Sequence, residues 1–299
     1  MATEEEFAER LLSLRESRAR LPELVRNRFA SRHRRSVTGH TGRLLLIEVD
    51  GPMTGDLGVG PDGGALADRG ELLRRLVSAL GQRGVDGVIA PADVIDDLLL
   101  LEALEDELAI GTITSGGFGR PASAWDGRFT GYDTDSIAVS RLDGGRLALR
   151  IDPSDVDSAV ELERCARTVT ALSGHSVLAI LEPIWAATDT AQGAQATLAE
   201  QVRAVCIASA LGARTSYSWL ALPVGADFAE LVVATTLPVL AHVGEATGWD
   251  IDSWAGSLAV PGVRGMVLPV SLLFATAGDD PDPLDSLARL VHEGAETPG

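Results

Sequence analysis

Eight short apolar runs, each followed by an amphipathic stretch of helical length, constrain this chain more than any other feature of its sequence. The runs cover residues 44–49, 87–90, 108–113, 147–151, 177–181, 218–222, 238–243 and 265–268. Each is short enough for a strand buried on both faces, as parallel sheets require. The helical stretches that follow cover 69–82, 93–106, 133–142, 155–172, 197–211, 227–235, 250–258 and 283–292. Alternation of this kind predicts βαβ units, and eight of them suit a closed (β/α)8 barrel, the TIM-barrel form of the α/β class. An open doubly wound sheet is the alternative, but no run leads into a GxGxxG helix entry. The glycines at 58, 60, 63 and 64 read as turn glycines.

Residues 3–35 also read as helical, with Phe7, Leu11, Leu12 and Leu14 apolar and the arginine-rich stretch 32–35 expected as a solvated helix end. A barrel needs about 250 residues. The 299-residue chain therefore divides into an N-terminal helical extension over 1–40 and a barrel over 41–299. Hydrophobic residues at 45% and charged residues at 23% suit a large globular core. The formal charge of −18 repels phosphate backbones and anionic lipid, so nucleic-acid and membrane partners are not expected. A small-molecule substrate, and association into a homo-oligomer, remain open to it. Cys165 and Cys206 both fall in apolar helical patterns and are expected as buried thiols of a reducing compartment. The chain opens on glutamates without an apolar signal core, and no apolar run approaches the ~18 residues of a membrane span, so a cytoplasmic location is expected.

Chemistry in such a barrel sits at the C-terminal ends of the strands. The polar residues near the strands are Glu48 and Asp50 on the first, Thr114 to Gly117 on the third, and Arg146, Arg150 and Asp152 on the fourth. Glu182 follows on the fifth, Tyr217 and Trp219 on the sixth, and His242 with Glu245 on the seventh. Alternation places Arg146, Arg150 and Asp152 on one face, where a buried arginine beside a carboxylate is either a structural ion pair or a substrate clamp. Asp50, Asp152 and Glu182 are the candidate carboxylates among them. Arg146, Arg150, Tyr217, Trp219 and His242 are the expected substrate contacts. Of the five histidines only His242 ends a strand, which argues against a zinc site. Magnesium on the carboxylates has no spacing signal, and no cofactor is expected.

The segments 48–52, 146–152, 181–183, 217–224 and 263–274, with 126–133, 234–238 and 260–265, resemble the actinobacterial deoxyribose-phosphate-aldolase-like proteins. These are class I aldolases related to tagatose-bisphosphate aldolase, and the likeness runs from about residue 32 to 290. It implies a Schiff-base lysine two residues before the proline of the sixth strand. Ala221 stands there, and the chain contains no lysine: its 25 basic residues are all arginine. A GC-rich coding bias accounts for scarcity of lysine, not for loss of one that chemistry requires. A second family lysine matches Arg146, and the Gly-Arg pair that holds phosphate is replaced by Pro269 and Val270. The resemblance also makes Asp50 an active-site aspartate, Glu182 the acid–base glutamate and Asp152 the aspartate of the fourth strand, so that these three are the expected catalytic residues.

The expected function is therefore an aldolase-like lyase acting on a small non-phosphorylated carbonyl compound by non-covalent acid–base catalysis. The alternative is a catalytically silent barrel that binds a small molecule or partners an active enzyme. Without lysine, borohydride reduction in the presence of a carbonyl substrate is expected to leave every internal residue unmodified. Ala221→Lys is expected to gain weak trapping of a simple ketone, provided the new amine loses its proton. Peptide mass mapping checks both, and an internal adduct in the unaltered chain would overturn the exclusion.

Overall fold

The computed structural model describes residues 4–60, 62–115, 128–186, 196–244, 248–275 and 282–293. Its eight main strands are Leu44–Glu48, Gly87–Ala90, Leu108–Thr112, Gly144–Ile151, Leu178–Trp185, Ser218–Pro223, Val239–His242 and Val263–Pro269. They pair in parallel in chain order and the last closes on the first, giving a (β/α)8 TIM barrel. A two-stranded antiparallel pair, Thr114–Ser115 with Arg128–Phe129, lies outside the barrel. No described helix is long and apolar enough to cross a membrane.

Two apolar layers hold the fold together. The outward faces of the strands pack on the surrounding helices in the larger cluster, which includes Leu45, Ile47, Val88, Leu147 and Leu181. Residues of opposite parity fill the interior: Leu44, Leu46, Ile89, Leu108, Ile110, Leu178, Ile180, Trp219, Leu240 and Val267. Closure depends on Gly265. Its φ is +132°, and a Cβ there would lie 1.8 Å from the Leu44 carbonyl oxygen. The register of the last strand shifts between Val263 and Met266, so this glycine brings a bulged backbone against its neighbour.

The fifth strand is longer than its apolar run suggests, continuing through Pro183 to Trp185. The physical reason is its pairing. It meets the sixth strand only as far as Leu181 but follows the fourth up to Trp185, so its upper half is a sheet edge. An edge tolerates proline because one side needs no ladder donor.

The N-terminal segment departs from expectation. It forms two helices, Glu4–Arg20 and Glu23–Ser31, interrupted at Pro22, whose ring disfavours helix in the residue before it. The stretch 32–35 does not end a helix, and it is solvated only in part: His33 and Arg34 are exposed, whereas Arg32 is buried. The chain is extended at Arg32, whose side chain is buried against Asp143 and donates to the Leu104 carbonyl at 2.9 Å. Asp143 also receives Arg34 and, at 2.9 Å, the Ala109 amide. Asp86 takes Arg35 and the Leu45 amide at 2.7 Å. Asp86 and Asp143 immediately precede the second and fourth strands, so these arginines close the N-terminal end of the barrel, with Val37 packed against the interior layer. The cysteines also divide. Cys165 is buried, whereas Cys206 is exposed because its helix, Leu198–Ser209, turns Ala204, Val205 and Ala208 inward instead.

Asp143 has 1% of its side chain exposed and compensates a buried arginine and a strand amide together. Asp143→Ala is expected to cost about 3–5 kcal/mol, the range for stranding a buried charge. Chemical denaturation measures it, and a loss below about 1 kcal/mol would show that the end closure is not a fold determinant.

Candidate active site

Four strands carry ionisable side chains to the C-terminal mouth of the barrel. Alternation sends Leu44 and Leu46 into the interior, and the next position of that parity is Glu48. Arg146 and Glu182 reach the same mouth from the fourth and fifth strands, and His242 ends the seventh. Asp50 lies just beyond the first strand, at the start of the one-turn helix Gly51–Thr54. The loop after it turns back tightly at Gly51, where a Cβ would stand 2.7 Å from the Asp56 carbonyl oxygen.

These residues form one connected charge cluster. The Arg146 guanidinium lies 2.8 Å from Asp50 Oδ2 and 3.0 Å from Glu48 Oε1, and pairs with Glu182. Thr112 Oγ1 donates to Asp50 Oδ1 at 2.7 Å. His242 Nε2 lies 2.8 Å from Glu48 Oε2, and its Nδ1 is 3.4 Å from Glu182 Oε1. Arg146 therefore serves three carboxylates, and His242 bridges two of them.

Burial and mutual charge set the proton affinities. Burial opposes the charge of Glu48, but Arg146 and His242 outweigh it and hold the carboxyl at about 2. Burial raises Asp50, which Arg146 only partly offsets; with Glu48 and Glu182 also repelling its charge, it reaches about 6. For His242 burial disfavours the cation, yet Glu182 and Glu48 prevail and lift it to about 9. At neutral pH the site therefore holds a protonated imidazole beside a carboxyl group that titrates nearby. Two groups whose proton affinities bracket neutrality can act as acid and base.

Two cavities open beside the cluster. One, of about 260 Å³, is bordered by Glu48, Asp50, His242 and Pro269. The other, of about 640 Å³, is bordered by Glu182, Arg150, Ile184, Trp185 and Pro223. A larger cavity of about 820 Å³ lies at the other end of the barrel, among Arg35, Asp86 and His292. It sits where structural, not chemical, roles concentrate in this fold.

The expected site residues separate clearly. Asp50, Arg146, Glu182 and His242 come together. Arg146 already pairs with three carboxylates of the protein through its two terminal nitrogens. Arg150 pairs with Asp152 at 2.7 Å and Asp155 at 3.1 Å. Asp152 also accepts the Ser154 hydroxyl, and that bond, with Arg150, keeps its carboxyl below the usual range. The Arg150–Asp152 pair thus braces the turn after the fourth strand, apart from the Arg146 cluster. Tyr217 precedes the sixth strand at its N-terminal end and is exposed, and Trp219 is packed among the apolar residues of the interior. Neither stands where a substrate at the mouth would touch it, because the strand begins at Ser218 and only its later residues approach that end. Thr114 ties the fourth strand through the Ala148 amide and carbonyl. Gly116, Gly117, Asp126 and Glu245 lie outside the described residues. Among the described residues, no group of three or more His, Cys, Asp or Glu is arranged to hold a metal ion.

Glu48 is the residue that sequence reasoning passed over as a site residue. Its signal was present, since it continues the interior parity of Leu44 and Leu46. Ala221 lies in the interior layer between Trp219 and the strand end, with no side-chain functional group. Pro269 and Val270 border the smaller cavity.

The Cgl0159-like family model matches residues 42–288, and the chain belongs to that family. Among solved structures it is similar to Cgl0159 from Corynebacterium glutamicum, with 34% identity over 96% of this chain and 98% of that one and a TM-score of 0.86. It is also similar to a Schiff-base-forming fructose-1,6-bisphosphate aldolase, at 16% identity over 89% of this chain and 99% of that one, TM-score 0.61. A fructose-bisphosphate aldolase from Slackia heliotrinireducens gives 12% identity over 90% and 87%, TM-score 0.65. The last two likenesses show the barrel fold. No curated protein sequence matches the chain.

Proposed function

From this family membership and this site, we propose that the protein is an aldolase-like enzyme. It makes or breaks a carbon–carbon bond in a small non-phosphorylated carbonyl compound by acid–base catalysis, without a covalent intermediate. The observation that carries this reading is the buried Arg146 cluster, which holds Glu182, Asp50 and His242 together at the mouth of the barrel. The finer kinship, to deoxyribose-phosphate- and tagatose-bisphosphate-aldolase relatives, belongs to the same proposal.

In the cleavage direction, a carboxylate, Glu182 with Asp50 in support, takes the proton of the β-hydroxyl group. The oxygen's electrons form the new carbonyl, the carbon–carbon bond breaks, and its pair moves into the substrate carbonyl as an enolate. The His242 imidazolium protonates or hydrogen-bonds the enolate oxygen. Electrostatic stabilisation of that oxygen replaces the electron sink that an iminium ion supplies elsewhere. Arg146 keeps three carboxylates close without leaving them unpaired and does not itself transfer a proton. The positions matched to a phosphate site, Pro269 and Val270, lack the side-chain charge to hold one, which supports a non-phosphorylated substrate.

Glu182→Gln is expected to lower turnover by roughly 10²–10⁴-fold with little change in unfolding temperature. For the unaltered protein, kcat/KM is expected to rise as Asp50 loses its proton near pH 6 and to fall as His242 loses its own near pH 9. A screen of simple aldol substrates followed by steady-state kinetics checks both. Unchanged turnover in Glu182→Gln would remove it from the mechanism, and a screen without turnover would favour the silent binding barrel.

A further inference from the structure

We infer that Glu48 is a positioning residue: it ties Nε2 of His242, leaves Nδ1 as the working nitrogen of the ring, and so pairs that nitrogen with Glu182 for proton transfer. This rests on the acid–base reading of the Arg146 cluster and deepens it by naming the atoms that pass the proton.

The barrel brings Glu48 and His242 together across an intervening strand. Glu48 ends the first strand, His242 ends the seventh, and the eighth lies between them. On that eighth strand Val267 is in register with His242 and Pro269 with Glu48. Neither carries an ionisable or hydrogen-bonding side chain, so the carboxylate reaches the ring directly. With the two side chains only 10% and 12% exposed, water competes little for the contact. The two ring nitrogens are then unequally held. Nε2 is 2.8 Å from Glu48 Oε2, whereas Nδ1 is 3.4 Å from Glu182 Oε1. Arg146, 3.0 Å from the other oxygen of Glu48, keeps that carboxylate ionised, so the shorter contact is the one that retains its proton. The longer one has room to open toward a reacting atom.

The other groups of the cluster leave Glu182 as the partner of Nδ1. Asp50 is held by Thr112 at one oxygen and Arg146 at the other. Glu182 gives Oε2 to Arg146 and turns Oε1 to the ring. Glu182, Glu48 and Arg146 are the charged groups that act on His242. His242 borders the smaller cavity and Glu182 the larger, so a substrate spanning both crosses the gap between Nδ1 and Oε1. In cleavage, Glu182 takes the β-hydroxyl proton, the carbon–carbon bond breaks with its electron pair left on the enolate, and Nδ1–H gives the enolate a proton. The Glu182 carboxyl then returns its proton to Nδ1. Both groups end the turnover as they began it, and the proton lost by the hydroxyl is balanced by the one the product gains. Glu48 exchanges no proton. It holds the ring so that the transfer runs in line, the role an orienting carboxylate plays for an imidazole.

The test reads which nitrogen keeps the proton in the neutral ring, by ¹⁵N NMR of the full chain at a pH above the His242 titration near 9. The unaltered protein is expected to hold it on Nε2. Glu48→Gln keeps the shape and removes the charge, so there the proton is expected to move to Nδ1, toward Glu182. With the aldol substrate found by screening, Glu48→Gln is expected to lower kcat by roughly 10²-fold with KM little changed, and to move the upper limb of the pH profile down. A merely structural role would lower the unfolding temperature and leave the tautomer and that limb in place. A proton on Nδ1 in the unaltered protein would overturn the assignment, as would a folded Glu48→Gln with the native tautomer and kcat. If that variant does not fold, the tautomer of the unaltered protein decides. The expected tautomer without turnover of any aldol substrate would keep the hold of Glu48 on the ring and reject the acid–base reading. Turnover that falls in Glu182→Gln but not in a folded Glu48→Gln would do the reverse.

Discussion

Everything at the mouth of this barrel depends on one buried guanidinium. Three carboxylates within reach of each other, taken out of water, repel and would protonate or push the strands apart. Arg146 removes that conflict by pairing with Glu48, Asp50 and Glu182 at once, and His242 adds a second positive group between Glu48 and Glu182. The compensation is uneven, and the unevenness is chemically useful. Glu48 is held at about 2 by both cations, whereas Asp50, buried and flanked by two other carboxylates, rises to about 6. The same arginine that permits the cluster thus leaves one member poised to exchange a proton. Its charge is already compensated by three carboxylates of the protein, which makes the residue an internal counter-ion of the cluster.

The opposite end of the barrel solves a related problem with a different purpose. Asp86 and Asp143 receive strand amides and are neutralised by Arg35 and by Arg32 with Arg34, from a segment that also caps the apolar interior. Charge at one end secures the fold while charge at the other is left able to titrate. This division matches the general separation of stability and chemistry between the two faces of a (β/α)8 barrel.

Much of the architecture was legible in the sequence because burial on both faces of a parallel strand leaves a continuous apolar run. Boundaries were less so. The fifth strand runs past Pro183 because its upper half is an edge, a property of its neighbours and not of its residues. The arginines at 32–35 read as a helix end because the aspartates that pair with them lie 51 to 111 residues away in sequence. Of the residues that come together at the mouth, Asp50, Glu182 and His242 were legible as polar residues near strand ends, and Arg146 as a charged residue carried by the fourth strand. Tyr217 and Trp219 lie at the start of a sixth strand whose beginning at residue 218 the apolar run already gave, and Glu48 was not singled out although its parity pointed inward. Whether Arg150 met Asp152 or a ligand depended on the turn through Ser154, which strand alternation alone does not describe.

The most direct measurement is the protonation state of His242, since the cluster predicts a cation where burial alone would give a neutral ring. Folded, this group has its proton affinity raised above the unfolded value of about 6.5. Its stabilising contribution is therefore complete below that pH and lost as the pH rises through about 9. Long-range ¹⁵N NMR of the imidazole ring, titrated across that interval, reads it directly. The account predicts that both ring nitrogens stay protonated through neutral pH, with a midpoint near 9 that falls in Glu48→Gln. A midpoint at or below the ordinary histidine value in the unaltered protein would contradict it.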